Sequence, residues 1–363
     1  MSVFISQLVP EGKELQIKGI AQAGMNFCHN FIKAINPVKV YALLLISERK
    51  KQIFSFENKN IRFIQIRFFP HIGLLRAFNA FLENLLITYR IVANKENNIW
   101  FYNINAHNII AYAILKFIFF KKCFIIIADF SIDLFIFRCL LPFMRRADGI
   151  ISFSQNTANL FAQHQNFIVK AGILNLKGTT PKMDRPINKT KFLFSGSLNP
   201  HAGIDLALEF FSGNSDLELI ITGEGKGAEL VRTYKNHPNI VYLGYLSYQD
   251  YLKVLSEVDI VLSLRDTSFS ENQYNFPSKI IEYLYNEKVV ISTIPYQNID
   301  ASVYFITQYS QKALSDTIRE IVNTSDEVLK QKCSKAKAYV VENFSYHSWQ
   351  TLVKQTEENA KRK

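Results

Sequence analysis

Short apolar runs alternate along the chain with longer stretches of helical periodicity. In the first half, residues 2–6, 39–46, 61–69, 99–103, 123–128, 149–153 and 167–169 read as strands. Several of them are continuously apolar, the pattern of a parallel strand covered on both faces. Residues 25–35, 72–94 and 134–146 lie between strands and read as helices. The second half repeats the plan, with strands at 191–195, 217–222, 240–243, 260–264 and 289–293. Helices are expected there at 203–211, 227–235, 247–256 and 277–285. Strand and helix in alternation predict doubly wound parallel sheets.

Residues 175–190 are rich in Lys, Pro, Thr and Asn and carry no hydrophobic period. They read as a linker between a domain at 1–174 and a second at 191–343. The tail from Ser325 reads as helical and polar, and residues 344–363 are expected to pack back on the first domain. The length, 363 residues, suits two domains.

Composition narrows the function classes. Charged residues are 20% and hydrophobic residues 48%, a globular balance. The most apolar stretch, 109–144, is interrupted by Lys116, Lys121, Lys122, Asp129, Asp133 and Arg138. That argues against a membrane-spanning helix and for buried strands and helices. No secretory leader pattern opens the chain, and four scattered cysteines form no Cys-x-x-Cys, so a reduced cytoplasmic setting is expected. The net charge of +11 fits nucleic acid, an anionic membrane surface or phosphate-bearing substrates. No nucleic-acid-binding motif accompanies it. Helix 72–94 and residues 135–146 mix apolar side chains with arginines, which suits core packing first and a bilayer surface second.

Open α/β sheets bind ligands beyond the carboxyl ends of their strands, so the turns there come first. In Phe194-Ser-Gly-Ser-Leu-Asn-Pro-His-Ala-Gly203 a strand ends, Gly196 and Ser197 offer backbone N–H groups, and a helix follows. The turn with Gly223 and Glu224 carries three glycines, but on the second strand of its domain, which excludes a dinucleotide fingerprint. The segment 264–284 says most. Strand 260–264 ends at Arg265, Pro277 is expected in a first helical turn, and Ser278 and Lys279 follow at a helix N-terminus that favours an anion. Glu282 stands one turn on, about 5 Å along the axis. Diphosphate and ribose contacts would thus come from one segment. The plainer alternative is a helix with a Lys–Glu pair at i, i+3.

Asn275-Phe-Pro-Ser-Lys-Ile-Ile-Glu-Tyr-Leu284 and 288–293 resemble the donor-site signature of family-4 GT-B glycosyltransferases, especially bacterial members that build capsule, exopolysaccharide or lipopolysaccharide. The Phe-Ser-Gly-Ser-Leu turn, Thr-Gly-Glu-Gly and 239–244 follow the same order. The resemblance covers 191–293 and implies two Rossmann-like domains facing a cleft, a UDP-sugar or GDP-sugar donor, retention at the anomeric carbon, and no cofactor or essential metal. It implies a saccharide or lipid-linked acceptor, no nucleic acid, and a peripheral place on the inner face of the cytoplasmic membrane. By position, Glu282 would bind the ribose, and Arg265, Lys279, Ser278, Gly196 and Ser197 the diphosphate. Tyr245 and Leu246 would meet the nucleobase, and Asp129 would be the catalytic carboxylate. Gly24, ahead of helix 25–35, and His107, Gly223, Glu224 and Pro277 would line the cleft. Tyr274 stands where many members have a first Glu, Ser197 and Ala202 where many have cations, and Ala128 where many have His. Those departures keep open an inactive GT-B-like binding protein.

Overall fold

The computed structural model describes residues 2–9, 22–35, 38–46, 61–67, 73–130, 134–174 and 185–361. The linker residues 175–184 lie outside this set. The chain forms two compact units. The first comprises 1–173, 274–276 and 346–363, and the second 174–273 and 277–345.

Unit 1 holds a sheet of seven parallel strands: β1 (Ser2–Ser6), β2 (Val38–Ile46), β3 (Ile61–Arg67), β4 (Asn98–Tyr102), β5 (Lys122–Ile127), β6 (Gly149–Ser152) and β7 (Phe167–Val169). Their order is β3-β2-β1-β4-β5-β6-β7. The sheet divides one strand's side chains between two cores. On β5, Phe124 and Ile126 join the core that holds Met25, Phe31 and Trp349. Cys123, Ile125 and Ile127 join the opposite core, with Ile87, Tyr112 and Leu140. This period of two explains why the strand is apolar throughout.

The final helix, Tyr346–Lys361, belongs to unit 1. Its Glu357 accepts hydrogen bonds from Ser2 Oγ at 2.7 Å, Asn98 Nδ2 at 2.7 Å and Trp100 Nε1 at 2.8 Å. Trp349 is buried against Phe27 and Phe31 and donates to Gly172 O at 2.6 Å.

Unit 2 holds six parallel strands: β8 (Lys191–Ser197), β9 (Glu218–Glu224), β10 (Ile240–Tyr242), β11 (Ile260–Ser263), β12 (Val289–Ser292) and β13 (Phe305–Ile306). Their order, β10-β9-β8-β11-β12-β13, repeats that of unit 1 without its last strand. Both units therefore have Rossmann-type doubly wound topology, with the chain reversing direction across the sheet at β1/β4 and at β8/β11. Residues 185–190 are anchored to unit 2. Arg185 meets the fully buried Asp259 through both guanidinium nitrogens, at 2.6 and 3.0 Å, and Ile187 enters the core.

Three expectations need correction. The helix at Gly24 runs Gln22–Ala34, so Gly24 lies inside its first turn, not ahead of it; a Cβ there would come 3.1 Å from Tyr102 Oη. The donor-segment helix is Lys279–Tyr285 with Ser278 as its N-cap, which leaves Pro277 outside the first turn. The helices Gly73–Ala93 and Phe135–Met144 and the turn between Phe117 and Phe120 bury only their inner faces; large apolar side chains stand exposed on the outside. An apolar residue reads the same in sequence whether it faces a core or water, so composition alone pointed to burial.

Candidate functional site

The carboxyl ends of β8 and β9 are built for close approach. Gly223 has φ +127, and a Cβ there would stand 1.8 Å from Gly196 O, so only glycine lets the two strand ends run together. Gly196 itself has φ +148, a conformation side chains rarely adopt. The turn after β9 is tied to the turn after β8 by Leu198 N donating to Glu224 O at 2.9 Å. Glu224 and Ser197 are exposed; Ser197 Oγ accepts from Asn199 Nδ2 at 2.6 Å.

Beside these turns, at the β8/β11 reversal, a polar network is assembled inside unit 2. Lys279 Nζ donates to Ser195 Oγ at 2.6 Å and sits 4.4 Å from the centre of the Tyr251 ring. Ser195 Oγ also accepts from Thr222 Oγ1 at 2.7 Å, and Tyr283 Oη donates to Ser195 O at 3.1 Å. Glu282 accepts from Tyr248 Oη at 2.8 Å on one oxygen and from Tyr251 Oη at 3.0 Å on the other. Burial lowers the Lys279 ammonium to about 8, and the Glu282 carboxylate partly offsets this. The tyrosines rise for the matching reason: burial first, then the adjoining Glu282 charge, raises Tyr248, and burial, then neighbouring Tyr283 and Glu282, raises Tyr251 above the phenol range. They therefore remain donors, and the Glu282 oxygens that accept from them keep lone pairs to spare.

Arg265 has other partners. Its N–H donates to Thr293 Oγ1 at 2.7 Å, and Nη1 donates to Asn272 Oδ1 at 2.9 Å. The buried Asn272 donates in turn to His201 O and Asp266 O, at 2.7 and 2.8 Å. Its amide fixes the loop after β11 and aims the guanidinium. Tyr245, exposed, and Leu246, half-buried, follow Gly244 beyond β10 and precede the helix carrying Tyr248 and Tyr251.

The remaining expected positions are in unit 1. Asp129 is exposed after β5, where its carboxylate accepts from Asn103 Nδ2 at 3.3 Å; Asn103 Oδ1 accepts from Ala128 N and Asp129 N. His107 is half-buried with Nε2 at 3.4 Å from Arg76 Nη2, and burial with that neighbouring cation lowers its pKa. A neutral imidazole accepting from Arg76 fits both facts. Tyr274 and Asn275 also belong to unit 1: Tyr274 packs on Phe130, and Asn275 Oδ1 accepts from Phe130 N at 2.9 Å.

The structure thus joins Lys279 and Glu282 through Tyr251, and sets Gly196 beside Gly223. It holds Arg265 by a separate set of contacts. Ser195, Tyr248, Tyr251 and Asn272 are absent from the sequence-based candidates. The Tyr-x-x-Tyr spacing in the first helical turn after Leu246 was the available signal for two of them.

No curated protein matches the chain. Solved structures of similar fold do. The UDP complex of Anabaena Alr3699/HepE superposes with a TM-score of 0.70 at 14% identity, over 98% of this chain and 99% of the other. Sucrose-phosphate synthase (tll1590) from Thermosynechococcus elongatus gives 0.76 at 11% identity, over 100% and 99%. The apo form of the lipopolysaccharide outer core galactosyltransferase WaaB gives 0.63 at 13% identity, over 99% of each chain. The two parallel α/β units are those of the GT-B fold seen in these neighbours. Residues 180–339, which contain every unit 2 group of the site from Ser195 to Glu282, match the family model described as glycosyl transferases group 1.

Proposed function

We propose that the chain is a glycosyltransferase that moves a sugar from a nucleoside-diphosphate sugar to a saccharide or lipid-linked acceptor in cell-surface polysaccharide synthesis, with retention at the anomeric carbon. The observation that carries the reading is the unit 2 network: a buried ammonium beside a glycine turn, and three residues on a carboxylate held by two tyrosines. Lys279, the Gly196–Ser197 amides and Arg265 suit the diphosphate, whose charge grows as the sugar departs. Glu282 suits the ribose hydroxyls, and the backbone at Tyr245 and Leu246 the base. Asp129 is the carboxylate proposed to serve the acceptor. No metal enters this reading, because the cations named neutralise the leaving group. The Anabaena neighbour was crystallised with UDP and with UDP-glucose, which supports UDP as the first donor to test. A binding-only protein is the second reading, favoured by Tyr274 packing on Phe130 where a carboxylate would be expected.

Calorimetric titration with UDP, GDP and their sugars tests the donor site. Binding of one nucleoside diphosphate is expected, and it should weaken as pH rises. The ammonium is the form that holds an anion, and free Lys279 loses its proton near pH 8. Donor binding above that pH must take up a proton, so affinity should fall roughly tenfold between pH 7 and 9. Affinity flat across this range would remove Lys279 from the diphosphate contact. Binding without sugar transfer to any acceptor would support the second reading.

A further inference from the structure

Strand β4 ends at Tyr102, and the next residue, Asn103, takes a left-handed conformation with φ +51. Residues with a Cβ enter that region rarely, Asn more readily than most, and they stay there only when surrounding contacts hold them. Asn103 is held at every polar atom. Its N–H donates to Ile126 O at 2.8 Å, and its carbonyl accepts from Asn108 Nδ2 at 2.8 Å. Its side-chain oxygen accepts from Ala128 N at 2.8 Å and from Asp129 N at 3.3 Å. Asn108 is buried, and its Oδ1 accepts from Asn105 N at 2.9 Å, which braces the loop after β4.

These partners decide which way the amide points. A backbone N–H can only donate, so Oδ1 must face Ala128 and Asp129. Nδ2 is left on the side of the Asp129 carboxylate and donates to its Oδ2 at 3.3 Å. One residue on, Phe130 N donates to Oδ1 of Asn275, also of unit 1, at 2.9 Å. The N–H groups of Ala128, Asp129 and Phe130 thus all end on asparagine side chains, which fixes the chain on both sides of Asp129.

Two features exceed what joining the ends of β4 and β5 requires. A residue with a Cβ occupies a conformation in which glycine would be unstrained. Its second amide atom addresses a carboxylate, not the main chain. That carboxylate is exposed just beyond β5, one strand from the β1/β4 reversal, where an open α/β sheet offers its ligand crevice. Cys28 and Tyr102 face the same charge. Burial raises the Cys28 thiol, with Ser6 lowering it and Asp129 adding to the rise; burial, then Cys28 and Asp129, raises the Tyr102 phenol. Both stay protonated and neutral, so neither brings a charge to Asp129.

We infer that Asn103 is a positioning residue for sugar transfer: its amide holds the Asp129 carboxylate ionised and in one orientation toward the acceptor's reacting hydroxyl. A hydrogen bond donated to a carboxylate favours its charged form. A carboxylate fixed in place also spares the reaction the search for a productive geometry. This role rests on the part proposed above for Asp129 and adds the group that aims it.

Asn103→Asp separates aiming from bracing. The new side chain can still accept from Ala128 N and Asp129 N and tolerates a positive φ, but it sets a carboxylate oxygen where Nδ2 donated. Carbon-13 NMR of the full chain labelled at its aspartate carboxyls reads the result, the Asp129 signal being the one lost in Asp129→Asn. Its titration midpoint should rise by about one pH unit or more, as a donor is lost and a like charge gained. This arm carries the test whatever the donor. In turnover of UDP-glucose, followed as UDP release with saccharide acceptors, kcat should fall roughly tenfold or more while donor KM stays within about twofold. Asn103→Gly, unstrained at this φ, should lower kcat in the same way and serves should the acidic variant unfold. Neither change should cost more when added to Asp129→Ala, since the group being aimed is gone. An unmoved Asp129 midpoint would overturn the inference alone, as would wild-type kcat in both Asn103 variants of a protein that Asp129→Ala disables. Wild-type turnover in Asp129→Ala would instead remove Asp129 from the reaction, and Asn103 with it.

Discussion

Lys279→Ala should lower turnover by roughly 10- to 100-fold, with kcat taking a larger share of the loss than the donor KM. The reason lies in timing. A diphosphate bound in the ground state already gains from the ammonium, but the leaving diphosphate carries more charge, so the contact strengthens as the bond to the sugar breaks. Burial among Ser195, Tyr251 and Glu282 magnifies that gain, since little water screens it. The fold should survive, because the substitution removes a buried cation that folding must desolvate. Glu282→Ala should also cost at least about tenfold, but mainly in donor KM, because ribose hydroxyls change little during transfer. Glu282→Gln retains one acceptor oxygen and should be milder. The two alanine effects should not add, since Glu282 helps to keep Lys279 charged. Steady-state kinetics on the three variants checks the set; wild-type kcat and KM in both alanine variants would remove this network from the reaction.

The second large effect concerns stability. Asp259 is fully buried at the start of β11, where its carboxylate accepts from both Arg185 nitrogens and from Asn188 N at 2.7 Å. Beside it Lys288 is also buried; desolvation lowers its pKa to about 8, and the Asp259 charge opposes that shift. Asp259→Ala leaves a buried amine without its counter-charge and a chain segment without its anchor. Removing one partner of a buried pair costs about 3–5 kcal/mol. Arg185 is half-exposed and can turn to water, so about 3 kcal/mol is expected. For a unit of this size that lowers the unfolding midpoint by roughly 6–12 °C. Asp259→Asn keeps the shape but not the charge and should fall between. Calorimetric unfolding measures both; a shift under about 2 °C for the alanine variant would show that the pair contributes only as a surface bridge would.

Much of this architecture is legible in the residues themselves. A parallel strand between two helical layers has no polar face, so β5 and β6 stand out as continuous apolar runs. Lys279 and Glu282 are legible because three residues of one helix bring them within a turn of each other. Ser195, Tyr248 and Tyr251 are not, because separate strands and helices deliver them to the same place. Ser197 shows the same limit: the turn was read as a unit, yet its hydroxyl bonds Asn199 while Ser195, two residues earlier, receives Lys279. Arg185 and Asp259 are 74 residues apart and nothing local joins them. The exposed face of helix Gly73–Ala93 was hidden differently. Its apolar residues cover most of the circumference outside the strip of Arg76, Asn79, Glu83 and Arg90, so periodicity could not tell an outer apolar stripe from an inner one.

The Lys279 ammonium and the Glu282 carboxylate are proposed to grip adjoining parts of one nucleotide. A crystal structure of the protein soaked with UDP tests this most directly. The diphosphate is expected within hydrogen-bonding distance of Lys279 Nζ and the Gly196–Ser197 turn, with ribose oxygens on Glu282. A nucleotide bound elsewhere, or one that leaves Lys279 on Ser195 and Glu282 touching only its two tyrosines, would contradict it.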